Sequence, residues 1–310
     1  MAGLSESPFP ATLHTVRMLK LSCHLDRGLA AQLERTLAQQ KMLEWVLDVS
    51  SHWGARLVGY FEDAPSAKRA FVELRTLLPA LPEHPELREL PAEAWQKSYR
   101  DHFQAVQVGS FLLAPAWGPP PEAAAGSIVL ELDPGLSFGT DHPTTRLCLS
   151  ALEQFASSRP DGLSQQRVLD AGSGSGVLGI AAIKLGFGSG KAFDLDAVAV
   201  SATKQNAARN GVLPRLSCEQ LDLHSGLAES ADLVFANIHH NVLVAHSTAL
   251  LAAVKANGLL VLSGCLQSDT LELRAAFESA ITQRAWPLAQ LHTVNCDGWG
   301  ALCIARRPEA

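Results

Sequence analysis

Residues 169–176 of the chain read Leu-Asp-Ala-Gly-Ser-Gly-Ser-Gly. The short apolar run at 167–170 predicts a buried strand, and the alternating glycines predict a tight turn into a helix at Val177–Leu185. Glycine lets a backbone approach a ligand closely, and the first turn of a helix presents N–H donors to it. In an open parallel sheet, ligands bind beyond the carboxyl ends of the strands. The sequence therefore predicts a ligand-binding turn after this strand.

The rest of the C-terminal part alternates between the two kinds of element. Further strands are predicted at 191–195, 215–219, 231–236, 258–262 and 299–305, and further helices at 197–210, 241–255 and 269–281. Such alternation is typical of an α/β fold whose mostly parallel sheet is covered by helices on both faces.

The N-terminal part has a different pattern. Strands at 15–25 and 55–61 alternate with helices at 28–49 and 66–78, which favours a ferredoxin-like α+β domain over residues 1–80. Repeated prolines then predict a linker and a connecting helix over 81–100, because proline blocks regular structure. The larger domain is predicted over 101–310.

An acidic residue, Asp194, follows the glycine turn at a spacing that suits a ribose-binding carboxylate. Asp194 ends the second predicted strand, 22 residues beyond Gly172, where a carboxylate can accept hydrogen bonds from ribose hydroxyls. The run from Gly174 to Gly179 satisfies G-x-G-x-x-G, the pattern of nicotinamide dinucleotide sites. The run from Asp170 to Gly176 satisfies the acidic-x-Gly-x-Gly-x-Gly pattern of S-adenosylmethionine sites, and only this interpretation gives Asp170 a role. A purely structural turn is the third alternative.

Composition narrows the class of protein. The chain has 310 residues, 47% of them hydrophobic, and a net charge of −6, which argues against a nucleic-acid-binding surface. Six scattered cysteines without a CxxC pair indicate reduced thiols rather than disulfides or a metal site. The first ten residues lack a signal-peptide core, and the longest apolar stretch, 242–254, is shorter than the ~20 residues of a membrane span. We expect a cytoplasmic, monomeric protein without a membrane segment.

Three further segments carry a resemblance to a known family. Residues 132–145 read Leu-Asp-Pro-Gly-Leu-Ser-Phe-Gly-Thr-Asp-His-Pro-Thr-Thr, residues 235–238 read Phe-Ala-Asn-Ile, and residues 262–264 read Leu-Ser-Gly. Together with the glycine loop and Asn210-Gly211, they closely resemble the ribosomal protein L11 methyltransferase family over residues 95–306. The upstream module also fits, because that family carries a ferredoxin-like N-terminal domain that docks the substrate.

The resemblance implies a Rossmann-like class I methyltransferase sheet, S-adenosyl-L-methionine as cofactor, and amines of ribosomal protein L11 as acceptors. These amines are lysine side chains, the N-terminal amine or both. The cofactor contacts carry over onto Thr145, Gly172, Asp194 and Asn237. The glycine-loop pattern adds Asp170, Gly174 and Gly176 to this set. On the substrate side the resemblance implies Phe138 and His142; His142 and Asn237 are the candidate catalytic groups, although no general base is obligatory.

The sequence departs from the family pattern at three places. One residue is missing beside Asp141 in the motif that borders the acceptor site, Ser173 replaces the usual cysteine, and His239 and His240 follow Ile238 where small or apolar residues are usual. The shortened motif leaves open a methyltransferase of the same fold that acts on another protein or a small molecule. More distant alternatives are an NAD-dependent oxidoreductase and a binding module with a degenerate cofactor fold. A nucleic-acid methyltransferase is disfavoured, because residues 236–239 lack an Asn-Pro-Pro-aromatic element.

Overall fold

The computed structural model describes residues 18–40, 45–48, 55–61, 63–90, 104–118, 122–133, 142–159 and 162–308. The chain divides into two compact units, Met1–Phe103 and Gln104–Ala310. Within the described residues, no helix combines the length and the apolar character that crossing a membrane requires.

The first unit contains four strands and two helices in its described part. They are β1 (Met18–Leu25), α1 (Arg27–Gln40), β2 (Trp45–Asp48), β3 (Ala55–Phe61), α2 (Ala64–Leu77) and β4 (Glu86–Leu90). The sheet order is β2-β3-β1-β4, and every pair is antiparallel. Leu21, Leu33, Leu57 and Leu74 are fully buried in its core. The order βαββαβ and this pairing confirm the predicted ferredoxin-like fold.

The helix predicted over 28–49 was wrong in its second half. It ends at Gln40, and Trp45–Asp48 is a strand paired with β3. The Trp45 ring is buried against Phe61 and Phe71, with ring centroids 5.3 and 5.9 Å apart. Aromatic and β-branched residues fit such a half-buried pleated surface, so tertiary packing decides the conformation here.

The linker predicted over 81–100 was also wrong in part, because Glu86–Leu90 is β4 and pairs with β1. The run from Glu86 to Leu90 contains no proline, so its N–H groups are available for the ladder. Leu87 packs against the core of the unit. The first unit therefore extends beyond residue 80, to Phe103. The remainder of the predicted linker and connecting helix, from residue 91 to residue 100, lies outside the described residues.

The second unit begins with a small sheet that the sequence analysis did not predict. Its strands are β5 (Val106–Val108), β6 (Phe111–Pro115) and β7 (Ile128–Leu132), in the order β5-β6-β7. Helix α3 (Pro143–Ser157) follows. The later elements are β8 (Arg167–Ala171), α4 (Val177–Leu185), β9 (Ser189–Asp194), α5 (Ala197–Arg209), β10 (Leu216–Gln220), α6 (Leu223–Gly226), β11 (Ala231–Asn237), α7 (His240–Ala245), α8 (Ser247–Ala252), β12 (Val254–Leu266), α9 (Thr270–Gln283), β13 (Leu288–Cys296) and β14 (Trp299–Arg306).

The main sheet has the order β10-β9-β8-β11-β12-β14-β13. The strands from β10 to β12 are parallel, and β14 runs antiparallel to both of its neighbours. This confirms the predicted Rossmann-like sheet. The chain order reverses between β8 and β11, so the crevice for a ligand lies at their carboxyl ends.

Two local features of the main sheet differ from the sequence expectation. The single helix predicted over 241–255 is two short helices, α7 and α8, which meet at His246, and β12 already begins at Val254. Strand β13 was not predicted. It lies at the sheet edge and carries Gln290, Thr293 and Asn295, so it lacks the apolar pattern of the inner strands.

Candidate functional site

The glycine loop joins β8 to α4 at the switch point of the sheet. The backbone N–H groups of Gly172 and Ser173 donate to the carbonyl of Phe193, with N···O distances of 2.9 and 3.0 Å. Gly176 caps α4 with a φ of 81°, in the left-handed region that glycine adopts without strain. The bend therefore fixes the start of α4 beside the carboxyl ends of β8 and β9.

Gly172 is required by packing as well as by the turn. Its φ is 74°, and a Cβ built on it would lie 2.2 Å from Cγ2 of Ile238, the residue that follows β11. With any larger residue, either the loop or the Ile238 side chain would have to move. This reason for the glycine adds to the predicted close approach of a ligand, which stays a prediction.

Asp194 lies where the spacing placed it, at the end of β9 and against the glycine loop. Its Oδ2 accepts a hydrogen bond from the N–H of Gly174 at 3.0 Å, and its Oδ1 accepts one from the N–H of Asp196, also at 3.0 Å. A carboxylate has about four acceptor positions, so these two bonds orient the group without using its full capacity. The carboxylate is half-buried and can accept hydroxyl donors from a sugar.

Asp170 has a different environment. It is buried, and its Oδ2 accepts a hydrogen bond from the N–H of Gly179 in the first turn of α4 at 2.9 Å. Burial raises the pKa of this carboxyl to about 7, and the charge of Asp194 acts in the same direction. The hydrogen bond makes Asp170 a support for α4. A direct contact with cofactor stays a prediction.

Thr145 and Asn237 come together from opposite sides of the crevice. Thr145 lies buried in the first turn of α3, and Asn237 is the last residue of β11. The Asn237 Nδ2 donates to the Thr145 Oγ1 at 3.3 Å. Two residues that the sequence analysis placed at the cofactor therefore form one polar pair at the carboxyl edge of the sheet.

His142 is the N-cap of α3. Its Nδ1 lies 3.4 Å from the N–H of Thr144, which donates to it, and 2.9 Å from the Thr144 hydroxyl. Its ring meets that of Trp299 edge to face, with centroids 4.4 Å apart. Because Nδ1 accepts the capping bond, the neutral ring carries its proton on Nε2, and this geometry favours positioning over a general-base role. Phe138 and Asp141 lie outside the described residues.

Two residues of the loop's support were missed in the sequence analysis. The Thr203 Oγ1 donates to the carbonyl of Gly174 at 2.9 Å and lies 3.0 Å from the Ser173 hydroxyl. The Asn206 Nδ2 donates to the carbonyl of Ser175 at 2.9 Å. The available signal was their spacing of three residues, which puts both side chains on one face of α5.

Comparison with known proteins decides the family. The model of the ribosomal protein L11 methyltransferase family (PrmA) matches residues 17–306, which include most of both units and every site residue above. The chain belongs to the ribosomal protein L11 methyltransferase family. It is an S-adenosylmethionine-dependent methyltransferase, and the dinucleotide interpretation of the glycine loop is set aside.

Individual members of the L11 methyltransferase family match along most of the chain. The protein from Azotobacter vinelandii is 37% identical over 288 residues, covering 91% of this chain and 92% of its own length. The one from Ralstonia pickettii is 39% identical over 218 residues, covering 70% of this chain and 67% of its own length. The solved L11 methylase of Lactobacillus delbrueckii subsp. bulgaricus has a TM-score of 0.56 at 27% identity, covering 66% of this chain and 100% of the solved one.

The residues present fit the cofactor of an L11 methyltransferase. The Asp194 carboxylate is fixed against the glycine loop, at the switch point where a nucleoside binds. Asp170 is close enough for the Asp194 charge to affect its pKa. The negative charge of Asp194 beside the loop disfavours a ligand with extra phosphates, and Asp170, with a pKa of about 7, adds only part of a charge.

Proposed function

We propose that this chain methylates amines of ribosomal protein L11 in the cytoplasm, on lysine side chains, the N-terminal amine or both. Relatives with this name match it along most of its length. The observation that best supports this proposal is that the glycine loop, Asp194 and the Thr145–Asn237 pair lie together at one edge of the sheet. A net charge of −6 suits a basic protein partner and offers no general nucleic-acid surface. We expect the protein to act as a monomer.

The proposed cofactor position follows from the loop. Gly172, Gly174 and Gly176 form the backbone cradle, and Asp194 accepts hydrogen bonds from the ribose. The methionine end extends toward Thr145 and Asn237, across the carboxyl end of β8. When bound, S-adenosylmethionine supplies a methyl group on a sulfonium that is already strongly electrophilic. Asp170 acts indirectly, because its hydrogen bond from the N–H of Gly179 fixes the first turn of α4 next to the glycine loop.

The acceptor side of the crevice has to present an uncharged amine. A lysine amine has a solution pKa near ~10.4, so it must lose a proton, which desolvation near positive charge favours. Thr145 receives the Asn237 Nδ2–H, and this bond turns the Asn237 Oδ1 away from Thr145. We propose that this oxygen accepts a hydrogen bond from the incoming amine and orients its lone pair. His142 and Trp299 form the neighbouring wall, and Phe138 stays a sequence-based candidate for it.

The N-terminal unit is proposed to recognise the protein substrate. The described strands and helices of this unit form a ferredoxin-like fold with a core of its own. None of the site contacts described above involves residues of this unit. A compact unit of this kind offers a surface for a protein partner while the second unit carries the chemistry. Removing it is expected to reduce L11 methylation while cofactor binding by the second unit persists.

The direct test uses purified L11 and labelled S-adenosylmethionine. Wild-type enzyme is expected to transfer label to L11, and Asn237→Ala to lose on the order of 100-fold in rate through misorientation. Asn241→Ala, at an exposed position of α7, is the matched control and is expected to retain wild-type activity. Peptide mass mapping identifies the methylated amines. If the protein binds cofactor but no label appears in L11, the substrate is another molecule. If the protein does not bind cofactor, the site itself is rejected.

A further inference from the structure

Helix α5 turns a polar face toward the glycine loop. Thr203 and Asn206 are completely buried, and Asn210, one turn further on, is partly buried on the same face. Burying an amide or a hydroxyl costs free energy unless its hydrogen bonds are replaced. The partners of these three side chains therefore show what this face holds in place.

Asn206 uses both of its donors and accepts twice. Its Nδ2 donates to the carbonyl of Ser175 at 2.9 Å and to the carbonyl of Asp133 at 2.8 Å. Its Oδ1 accepts from the N–H of Asp133 at 2.9 Å and from Nη1 of Arg209 at 2.8 Å. One side-chain amide thus joins the cofactor loop to both backbone groups of a residue 73 positions away.

Asp133 is the residue after β7 and belongs to the 132–145 segment. The same segment ends at His142 and Thr145, which lie at the crevice. We propose that Asn206 is a positioning residue that fixes the cofactor loop and the start of the acceptor-side segment as one unit. This inference rests on the proposed function, because it assigns that segment to the acceptor side.

Asn210 provides a matched comparison. Its Nδ2 donates to the carbonyl of Glu131 at 2.7 Å, and its Oδ1 accepts from the N–H of Glu131 at 3.1 Å. Asn206 and Asn210 therefore bind the same chain segment in the same way. Each side chain bonds the backbone N–H and carbonyl of one residue, and these two residues, Asp133 and Glu131, are two positions apart. They differ in that Asn206 also reaches the glycine loop, whereas the second Nδ2 bond of Asn210 goes to the carbonyl of Asn206 at 2.9 Å.

Thr203 provides the complementary comparison, because its hydroxyl contacts the glycine loop alone, at Gly174 and Ser173. Variants at these three positions therefore separate an effect on the glycine loop from an effect on the segment at the end of β7. The Thr203 side chain reaches the loop, Asn210 reaches the β7 segment, and Asn206 reaches both.

The test compares Asn206→Asp, Asn206→Ala, Asn210→Asp, Asn210→Ala and Thr203→Val. Asn206→Asp is isosteric but places an oxygen against two carbonyl oxygens. Asn206→Ala removes the hydrogen bonds without adding charge, so it still tests the inference if Asn206→Asp fails to fold. Calorimetry gives the Kd of S-adenosylmethionine, steady-state kinetics at saturating cofactor give KM and kcat for L11, and melting curves set a temperature at which all variants are folded.

Both Asn206 variants are expected to weaken cofactor binding about tenfold or more and also to raise the KM for L11 severalfold. Thr203→Val is expected to change the cofactor Kd alone, and the Asn210 variants are expected to change neither constant by more than about twofold. Equal losses for the Asn206 and Asn210 pairs would assign the effect to general packing and overturn the inference. If wild-type enzyme binds cofactor but leaves L11 unmethylated, the proposed substrate fails, and the cofactor Kd values still decide whether Asn206 holds the loop.

Discussion

The side-chain amide of Asn237 donates a hydrogen bond to the hydroxyl of Thr145 across 3.3 Å, although 92 residues separate the two in sequence. Thr145 lies in the first turn of α3 and Asn237 is the last residue of β11, so this bond joins two elements at the carboxyl edge of the sheet. Each side chain sets the orientation of the other. The pair therefore acts as one feature of the site rather than as two independent contacts.

This pairing predicts non-additive kinetics. Thr145→Val and Asn237→Ala are each expected to lower kcat/KM for methyl transfer, and the double variant to lose less than the two losses combined. The expected coupling is ~0.5–1.5 kcal/mol, as for one hydrogen bond. Thr144→Val, in the same helical turn, serves as the control and should combine additively with Asn237→Ala. Additive losses for the Thr145 pair would mean that the bond has no functional role.

Asp194 and Asp196 allow affinity to be separated from stability. Asp194 contacts the glycine loop, whereas the Asp196 side chain accepts from the N–H of Val198 at 2.8 Å and caps α5. Asp194→Ala is expected to weaken S-adenosylmethionine binding by severalfold or more in calorimetry. Asp196→Ala is expected to cost ~1 kcal/mol of unfolding free energy, as loss of an N-cap does, with affinity unchanged. Unchanged affinity in Asp194→Ala would contradict the ribose assignment.

The raised pKa of Asp170 predicts a pH-dependent stability. Its pKa is about 7 in the folded protein against an ordinary value of 3.8, so between these values the folded state binds more protons than the unfolded state. This contribution makes the free energy of unfolding fall as pH rises from about 4 to about 7, after which it is level. Asp170→Asn keeps an oxygen acceptor for Gly179 but carries no charge.

The melting temperature of Asp170→Asn relative to wild type should therefore be higher at pH 8 than at pH 4.5. Thermal unfolding in the absence of cofactor, at matched ionic strength, measures this difference. The same offset at both pH values would show that Asp170 is ionised in the folded protein with an ordinary pKa.

Gly172 and Gly211 test the packing reason for the first glycine. Both have positive φ, 74° and 69°, but a Cβ on Gly211 would meet nothing within 4 Å, whereas one on Gly172 would lie 2.2 Å from Ile238. Gly211→Ala is expected to cost ~1–2 kcal/mol for backbone conformation alone. Gly172→Ala is expected to cost more, and Ile238→Ala to recover part of the excess when combined with it. Equal unfolding free energies for the two single variants would remove the role of Ile238.

The inner strands of the second unit could be predicted because parallel strands buried on both faces have nearly continuous apolar sequences. The run from Leu233 to Ala236 is an example. The same regularity located Asp194 at the end of a strand, whereas Asn237 was predicted from the family resemblance. Strands β2, β4 and β13 were missed because they are short or polar, and their conformation is decided by neighbours distant in sequence.

The supports of the site were less accessible to sequence reasoning. Asn206 and Thr203 are polar residues on a helix and resemble a solvated face until their partners are seen. The His142 ring packs against Trp299, which comes from the last described strand and is distant in sequence. Such roles arise from long-range packing, which single-sequence patterns do not encode.

The central claim is that the bend after β8, faced by Asp194, holds an adenosine-bearing sulfonium cofactor. A crystal structure of the full chain with S-adenosylhomocysteine, the product form of that cofactor, tests this most directly. The expected result is the nucleoside over the glycine loop, both ribose hydroxyls within hydrogen-bond distance of the Asp194 carboxylate, and the amino-acid end near Thr145. A nucleoside bound elsewhere, or a crevice that stays empty at saturating ligand, would contradict the account.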